Sequence, residues 1–304
     1  MTVKKVLVTG SNGLLGQKLT DIYLKEKGVR LIATGKGENR HVNTGDFIYE
    51  DMDICDPQQV QLVFEKHKPD AVIHGAAMTH VDHCELDPEK CRQVNVEATR
   101  ILAQNAEQIG AHFIFVSTDF IFDGEDGPYK EDDEPAPLSI YGWSKLDAEN
   151  IVKEVCSNWA IARTVLVFGV NNDMSRSNIV LWAKGALEKG ALINVVEDQV
   201  RSPTLAEDLA KGCYLIERKG ATGVYNISGK DIMSIYDLVQ RVAEYFRLSM
   251  ESVSKITSES LGQPAKRPPV TGFDLMKSRQ ELGYEPHSFE EGIALIMQQM
   301  KNRQ

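Results

Sequence analysis

Val6-Leu7-Val8-Thr9-Gly10-Ser11-Asn12-Gly13-Leu14-Leu15-Gly16 decides how the rest of the chain is read. Val6-Leu7-Val8 is a short apolar run of strand type. After the glycines, Leu15, Leu19 and Ile22 recur at helical spacing, so the order is strand, glycine turn, helix. Glycines at 10, 13 and 16 let the chain turn tightly and let its backbone approach a pyrophosphate. The helix N-terminus behind them supplies N–H donors and a favourable dipole. GxxGxxG alone is weak, but here it follows a strand and opens an amphipathic helix, the setting that a dinucleotide fingerprint requires.

Working outward, the same alternation continues. Arg30-Leu31-Ile32-Ala33 is a second β-like run ending at Thr34-Gly35. Asp56-Pro57 reads as an N-cap and first-turn proline, with Val60, Val63 and Phe64 on the inner face. Ala71-Val72-Ile73 is the next buried strand, and a helix through Val94, Ala98, Ile101 and Leu102 stops at Gly110. Phe113 to Val116 is a fourth apolar strand; Ala160-Ile161-Ala162 with Val165-Leu166-Val167 makes another. Strands apolar on both faces, alternating with amphipathic helices, predict a Rossmann-type, doubly wound parallel α/β sheet with ligands at the carboxyl ends of its strands.

Beyond Phe168-Gly169 the pattern loosens. Asn171 to Ser177 reads as a loop, Ile179 to Leu187 as a helix and Leu192 to Val196 as extended. Pro203 and Thr204 open a helix through Leu209 and Tyr214, and Gly223 to Ile227 is a strand. Ser234 caps a helix through Leu238, Val242 and Phe246, Lys266 to Pro269 is a loop, and Phe289 to Met300 is an amphipathic helix. The expected division is a cofactor domain of residues 1–168 plus about 203–227. A smaller α/β substrate-binding region, about 169–202 plus 228–304, lies over it.

Bulk properties narrow the function classes. The 304 residues carry a net charge of −10, which argues against a general nucleic-acid binder. No apolar run approaches a membrane span, and Val6-Leu7-Val8 is too short for a signal peptide. Cys55, Cys84, Cys91, Cys156 and Cys213 form no CxxC pair, which suggests reduced thiols in the cytoplasm. His80, Asp82, His83 and Cys84 lack the spacing of a common structural zinc site, so no metal is expected. His74, within a strand, reads as a core histidine. After the second strand, Lys36 and Arg40 are placed to hold a 2′-phosphate. NADP(H) is therefore preferred, with NAD(H) the alternative should Glu38 reach a ribose hydroxyl.

Tyr141-Gly142-Trp143-Ser144-Lys145 sets a phenol and an ammonium four residues apart, on one face if the segment is helical. A lysine cation held close lowers a phenol's pKa and suits it to proton transfer. With the glycine turn and Ser117-Thr118-Asp119-Phe120-Ile121-Phe122-Asp123-Gly124, this stretch resembles the extended short-chain dehydrogenase/reductase family. Ala76-Ala77-Met78-Thr79-His80-Val81-Asp82-His83-Cys84-Glu85 is similar to the AAxTxVDxxE of its dTDP-4-dehydrorhamnose reductase branch. STDFIFDG resembles that branch's STDYVFDG, and Asp198 to Thr204 its DQxGxPT.

The resemblance implies an NADPH-dependent reductase of a nucleotide-linked 4-keto-6-deoxy sugar. Tyr141 would be the proton donor, Lys145 would lower its pKa and bind the nicotinamide ribose, and Thr118 would hold the substrate oxygen. Asp53 and Ile54 would border the adenine; Ala76, Ala77, Met78, Thr79 and Val116 would line the cofactor. Thr79, Val81, Thr118, Asp119, Phe120, Leu166 and Arg201 would face the sugar nucleotide, in a monomer or a homodimer. Three departures stand out. Leu166 replaces the tryptophan of the branch's RTSWVY, Phe120 replaces a tyrosine, and Lys18 stands where some members bind magnesium through a glutamate. Phe120 also stands where related dehydratases carry a glutamate, and phenylalanine cannot move a proton. An NAD-dependent epimerase remains an alternative, as does a regulatory NADP-binding subunit similar to the β subunit of methionine adenosyltransferase.

Overall fold

The computed structural model describes residues 3–43, 45, 47–171 and 178–302. Its first half alternates strand and helix: β1 (Lys4–Thr9), α1 (Leu14–Tyr23), β2 (Val29–Gly35), β3 (Ile48–Asp51), α2 (Pro57–His67), β4 (Ala71–His74), α3 (Val81–Leu86), α4 (Pro88–Arg92), α5 (Ala98–Gln108), β5 (His112–Thr118), α6 (Ile140–Val155) and β6 (Trp159–Thr164). There follow β7 (Val167–Phe168), α7 (Ile179–Glu188), β8 (Ile193–Val196), β9 (Val200–Arg201), β10 (Thr204–Leu205), α8 (Ala206–Lys219), β11 (Gly223–Asn226), β12 (Met233–Ser234), α9 (Ile235–Phe246), β13 (Val253–Ile256) and α10 (Phe289–Lys301).

Seven strands form a parallel sheet in the order β11-β6-β5-β4-β1-β2-β3. Period-2 alternation sends successive side chains to opposite faces, and each face has its own core. Val6, Val8, Ala33, Ile73 and Ile114 meet Leu19 of α1 and Leu209 and Cys213 of α8. Leu7, Ile32, Val72, Phe113 and Phe115 meet α2, α5 and α6 through Phe64, Leu102 and Val152. β1 lies between β2 and β4, so the strand order reverses there and a crevice opens beyond the strand ends. A third core joins Phe168 and Leu205 to Val180 of α7, Leu238 and Val242 of α9, and Ile293 of α10.

Local chemistry explains the element ends. Asp56 caps α2 by accepting from the N–H groups of Gln58 and Gln59, ahead of Pro57. Gly110 adopts φ +68 just past α5, and Ser234 and Asp237 form a capping box on α9. Other readings need correction. Val165–Val167 does not continue its strand: β6 ends at Thr164, Leu166 turns to φ +37, and β7 pairs instead with β10. Pro203 and Thr204 therefore do not open a helix; Thr204 and Leu205 are committed to that pairing and α8 begins at Ala206. β3 and β13 were not foreseen. Most of the loop at Asn171 to Ser177 lies outside the described residues.

Candidate active site

The glycine turn lies at the switch point. Gly10 has φ +73, and a Cβ there would stand 2.9 Å from the Ala76 backbone. A Cβ on Gly16 would stand 2.4 Å from the Gly10 carbonyl. Both positions therefore require glycine. Gly13 offers no side-chain cap to α1, and Ser11 Oγ is buried with no hydrogen-bond partner. Asn12 holds the turn against the loop after β2: its amide donates to the Glu38 carbonyl and to Tyr49 Oη, and accepts from Arg40 N–H at 2.9 Å. Tyr49 also donates to the Gly37 carbonyl at 2.6 Å. The sequence reading missed this tyrosine because β3 itself was unread.

A cavity of about 290 Å³ opens beside the turn, lined by Gly10, Lys36, Asp53, Ile54, Ala76 and Ala77, among others. Lys36 Nζ pairs with Asp53 at 2.8 Å, which raises the ammonium pKa and lowers the carboxyl. Lys36 is exposed and joined to this cavity by a flexible side chain.

Across the crevice, Thr118 ends β5 and Tyr141 opens α6. Ser139 caps that helix by accepting from Gly142 N–H at 3.2 Å. Gly142 lets the helix press against the turn after β5, since a Cβ there would come within 2.2 Å of the Phe120 carbonyl. Thr118, Tyr141 and Lys145 are 6%, 7% and 2% exposed. The Thr118 hydroxyl donates to Asp119 at 3.1 Å and lies beside the hydroxyl of Tyr141. Lys145 donates to the Val116 carbonyl at 2.8 Å and lies 3.9 Å from the centre of the Phe115 ring. The net shift of Tyr141 is upward, not downward. Burial dominates both groups, raising the phenol well above its ordinary value and lowering the ammonium to about 7.

Asn95 was missed by the sequence reading. It accepts from Met78 N–H at 2.8 Å, donates to the Met78 carbonyl at 3.0 Å and donates to Ser144 Oγ at 3.0 Å. It thus ties the Ala76–Thr79 loop to the helix bearing Tyr141 and Lys145. A polar residue on the buried side of a helix was the available signal; a π-turn over Gln93–Glu97 carries it there.

The substrate candidates divide. Phe120 lies edge-on to Tyr141, with ring centres 5.7 Å apart, Thr79 is exposed at the rim, and Val81 packs near Tyr141. Asp119 is buried beside them and accepts from Thr118 at 3.1 Å and from Thr271; burial raises its pKa. Arg201 is corrected: 3% exposed, it gives its guanidinium to the carbonyls of Val200, Pro268 and Pro269 and so fixes a loop. Leu166 wedges between two hydrophobic cores. Lys18 pairs with Glu207 at 2.9 Å. His74 is a core residue, bonded to Thr9 and Thr99, with its pKa lowered to about 3 by burial. His80 caps α3 and stacks on His83, Asp82 pairs with Arg267, and Cys84 bonds the Met78 carbonyl. Among the described residues, no group of three or more His, Cys, Asp or Glu is placed to hold a metal ion.

The chain is similar to a dTDP-4-dehydrorhamnose reductase from Clostridium acetobutylicum, with 30% identity and a TM-score of 0.86 over 98% of this chain and 99% of that one. It is similar to the Bacillus anthracis dTDP-4-dehydrorhamnose reductase solved in complex with NADP, with 27% identity and a TM-score of 0.83 over 98% and 100%. It is also 31% identical to methionine adenosyltransferase 2 subunit beta of Xenopus laevis, over 85% of this chain and 77% of that protein. The family model described as RmlD substrate binding domain matches residues 4–302, and the chain belongs to that family, within the extended short-chain dehydrogenases/reductases.

Proposed function

We propose that the protein is an NADPH-dependent reductase of a nucleotide-linked 4-keto-6-deoxy sugar. The observation that carries this reading is the buried Tyr141 beside Thr118, with Lys145 one helical turn on, across the crevice from the Gly10–Gly16 turn. The similar reductases, one solved with NADP, support it.

The residues fit a dinucleotide. The uncapped first turn of α1 and the unpartnered Ser11 Oγ offer donors to a pyrophosphate, and Gly10 keeps clear the space that a Cβ would fill. Gly10 to Gly16, Asp53, Ile54, Ala76 and Ala77 would hold it. Lys36 and Arg40 would meet a 2′-phosphate, with Lys36 exchanging Asp53 for that anion. When bound, the cofactor supplies a hydride. Thr118 and Tyr141 hold the keto oxygen between their hydroxyls. Tyr141, kept protonated by burial, gives up its proton as charge develops on that oxygen. Lys145 steadies the phenolate left behind. Five free cysteines suit a reducing cytoplasm. Among the described residues, no helix is long and apolar enough to cross a membrane.

The test is an NADPH-oxidation assay over keto-sugar nucleotides, with dTDP-4-dehydrorhamnose first. Turnover is expected, Tyr141→Phe should reduce kcat by at least ~10³-fold, comparable to the loss of general acid and oxyanion contact combined, and NADPH should bind that variant nearly as tightly as wild type. NADPH should also bind more tightly than NADH; equal or reversed affinity refutes the preference. A second reading, a regulatory NADP-binding subunit, is favoured by the similarity to the methionine adenosyltransferase subunit. No turnover on any keto-sugar nucleotide, with a stable partner complex instead, would establish that reading.

A further inference from the structure

The short helices α3 and α4 fold back on each other about Asp87, which ends the first and caps the second through Lys90 N–H. The turn brings Cys84 onto Cys91. The two thiols are fully buried and lie together with Tyr141 in one small apolar cluster. Cys91 Sγ also accepts from Asn95 Nδ2 at 3.5 Å and hydrogen-bonds with Ser144 Oγ at 3.4 Å. Cys84 Sγ donates to the Met78 carbonyl at 3.6 Å. The pair therefore touches both pieces that build the site: the loop after β4 and the helix bearing Tyr141 and Lys145.

We propose that Cys84 and Cys91 form an oxidisable dithiol, converted by hydrogen peroxide to a disulfide that inactivates the adjoining site. The surroundings divide the labour between the sulfurs. Contact with Cys84, with the Asn95 amide donating to it, brings the Cys91 pKa down to about 7, while the Cys84 thiol is pushed up and keeps its proton. Cys91 is therefore the nucleophile and Cys84 the resolving thiol. The Cys91 thiolate attacks one peroxide oxygen, the O–O bond breaks, and a sulfenic acid and hydroxide result. Cys84 sulfur then attacks the Cys91 sulfur; the departing hydroxyl leaves as water with the Cys84 proton. In sum, two thiols and one peroxide give a disulfide and two waters, and a dithiol reductant reverses the change. The other cysteines are set differently. Cys156 and Cys213 lie in the two cores that flank the sheet, where burial raises each to about 12, and Cys55 is also raised. Peroxide is little larger than water, and reaching the buried pair requires a local opening of α3, a helix only six residues long.

Closing the bond brings the two sulfurs to about 2.05 Å. It removes the donor to the Met78 carbonyl and pulls the α3–α4 hairpin against α6 beneath Tyr141. The loss of activity rests on the reductase reading; the cross-link does not.

The full chain is treated with peroxide, alkylated without reduction and cut by a glutamyl endopeptidase, which cleaves between the cysteines at Glu85 and Glu89. A linked peptide pair lighter by two hydrogens is expected in wild type and in Cys55→Ser, and in neither Cys84→Ser nor Cys91→Ser. Thermal melting checks that the serine variants fold. Wild-type kcat/KM should fall at least ten-fold on oxidation and recover with dithiothreitol, while Cys91→Ser keeps its own untreated rate. Absence of the linked pair, with Cys91 still open to alkylation, overturns the proposal. So does equal peroxide inactivation of all variants. A protein that forms the cross-link but turns over no keto-sugar nucleotide counts against the reductase reading alone.

Discussion

Lys145 carries its ammonium into a site with one carbonyl acceptor and an aromatic face, and burial lowers its pKa from about 10.5 to about 7. Below pH 7 both folded and unfolded chains hold that proton, and the folded state bears the full penalty of a buried charge. Between about 7 and 10.5 the unfolded chain holds a proton that the folded one has released, so unfolding takes up a proton and stability rises with pH across that interval. One proton contributes a slope of at most about 1.4 kcal/mol per pH unit. Cys91, also lowered, acts in the same direction from about 7. Lys145→Met should therefore flatten, without abolishing, the rise in urea midpoint between pH 7 and 9, measured without added cofactor. An unchanged slope would show that Lys145 does not titrate there. The Tyr141–Lys145 spacing was readable because four residues make one helical turn. The direction of the Tyr141 shift was not, because it depends on how deeply the pair is buried.

At the scale of the element, what could be read was whatever is fixed by neighbours in sequence. The Gly10–Gly16 turn, the Asp56–Pro57 start, the Gly110 stop and the Ser234 cap all act within a few residues, and all appear in the structure. β3 escaped because it is an edge strand with no fully buried residue, and β13 because its Val-Ser-Lys-Ile is short and has no buried residue either. Two helix ends adopt conformations their residues resist. α2 ends on Lys68 at φ 47, ψ 64, and α9 on Arg247 at φ 56, ψ 45, both exposed and left-handed. α8 uses Gly220 for the same purpose. A Cβ in that region costs about 1 kcal/mol, partly offset by glycine's greater freedom when unfolded. Lys68→Gly should therefore stabilise the protein by ~0.5 kcal/mol, read as a higher urea midpoint with unchanged m-value. A lower midpoint would mean that the lysine side chain contributes more than its backbone strain removes.

For the whole molecule, the arrangement least visible in the sequence is the strap of residues 265–271. Arg267 grips Asp82 with two hydrogen bonds of 2.8 and 3.1 Å, and Ala265 N–H donates to the same carboxylate. Thr271 donates to Asp119, and Arg201 holds the carbonyls of Pro268 and Pro269 from beneath. Asp82 follows β4 and Asp119 follows β5, so one loop spans both of the strand ends that frame Tyr141. Asp119 was read as facing the sugar nucleotide and Asp82 was given no ligand; both anchor the strap, through partners more than 150 residues away that no local pattern reveals. The Arg267–Asp82 pair is mostly shielded from water and doubly bonded, so a coupling of about 1 kcal/mol is expected rather than the near-zero value of an exposed pair. Arg267→Ala should loosen the strap and raise KM for the sugar nucleotide several-fold, with a smaller change in kcat, because Thr118, Tyr141 and Lys145 keep their positions. Asp82→Ala should do the same, and the double variant should be no worse than either single one, the mark of a shared interaction. Additive losses in KM would show that the two residues meet the ligand separately, and that the strap is not what joins them.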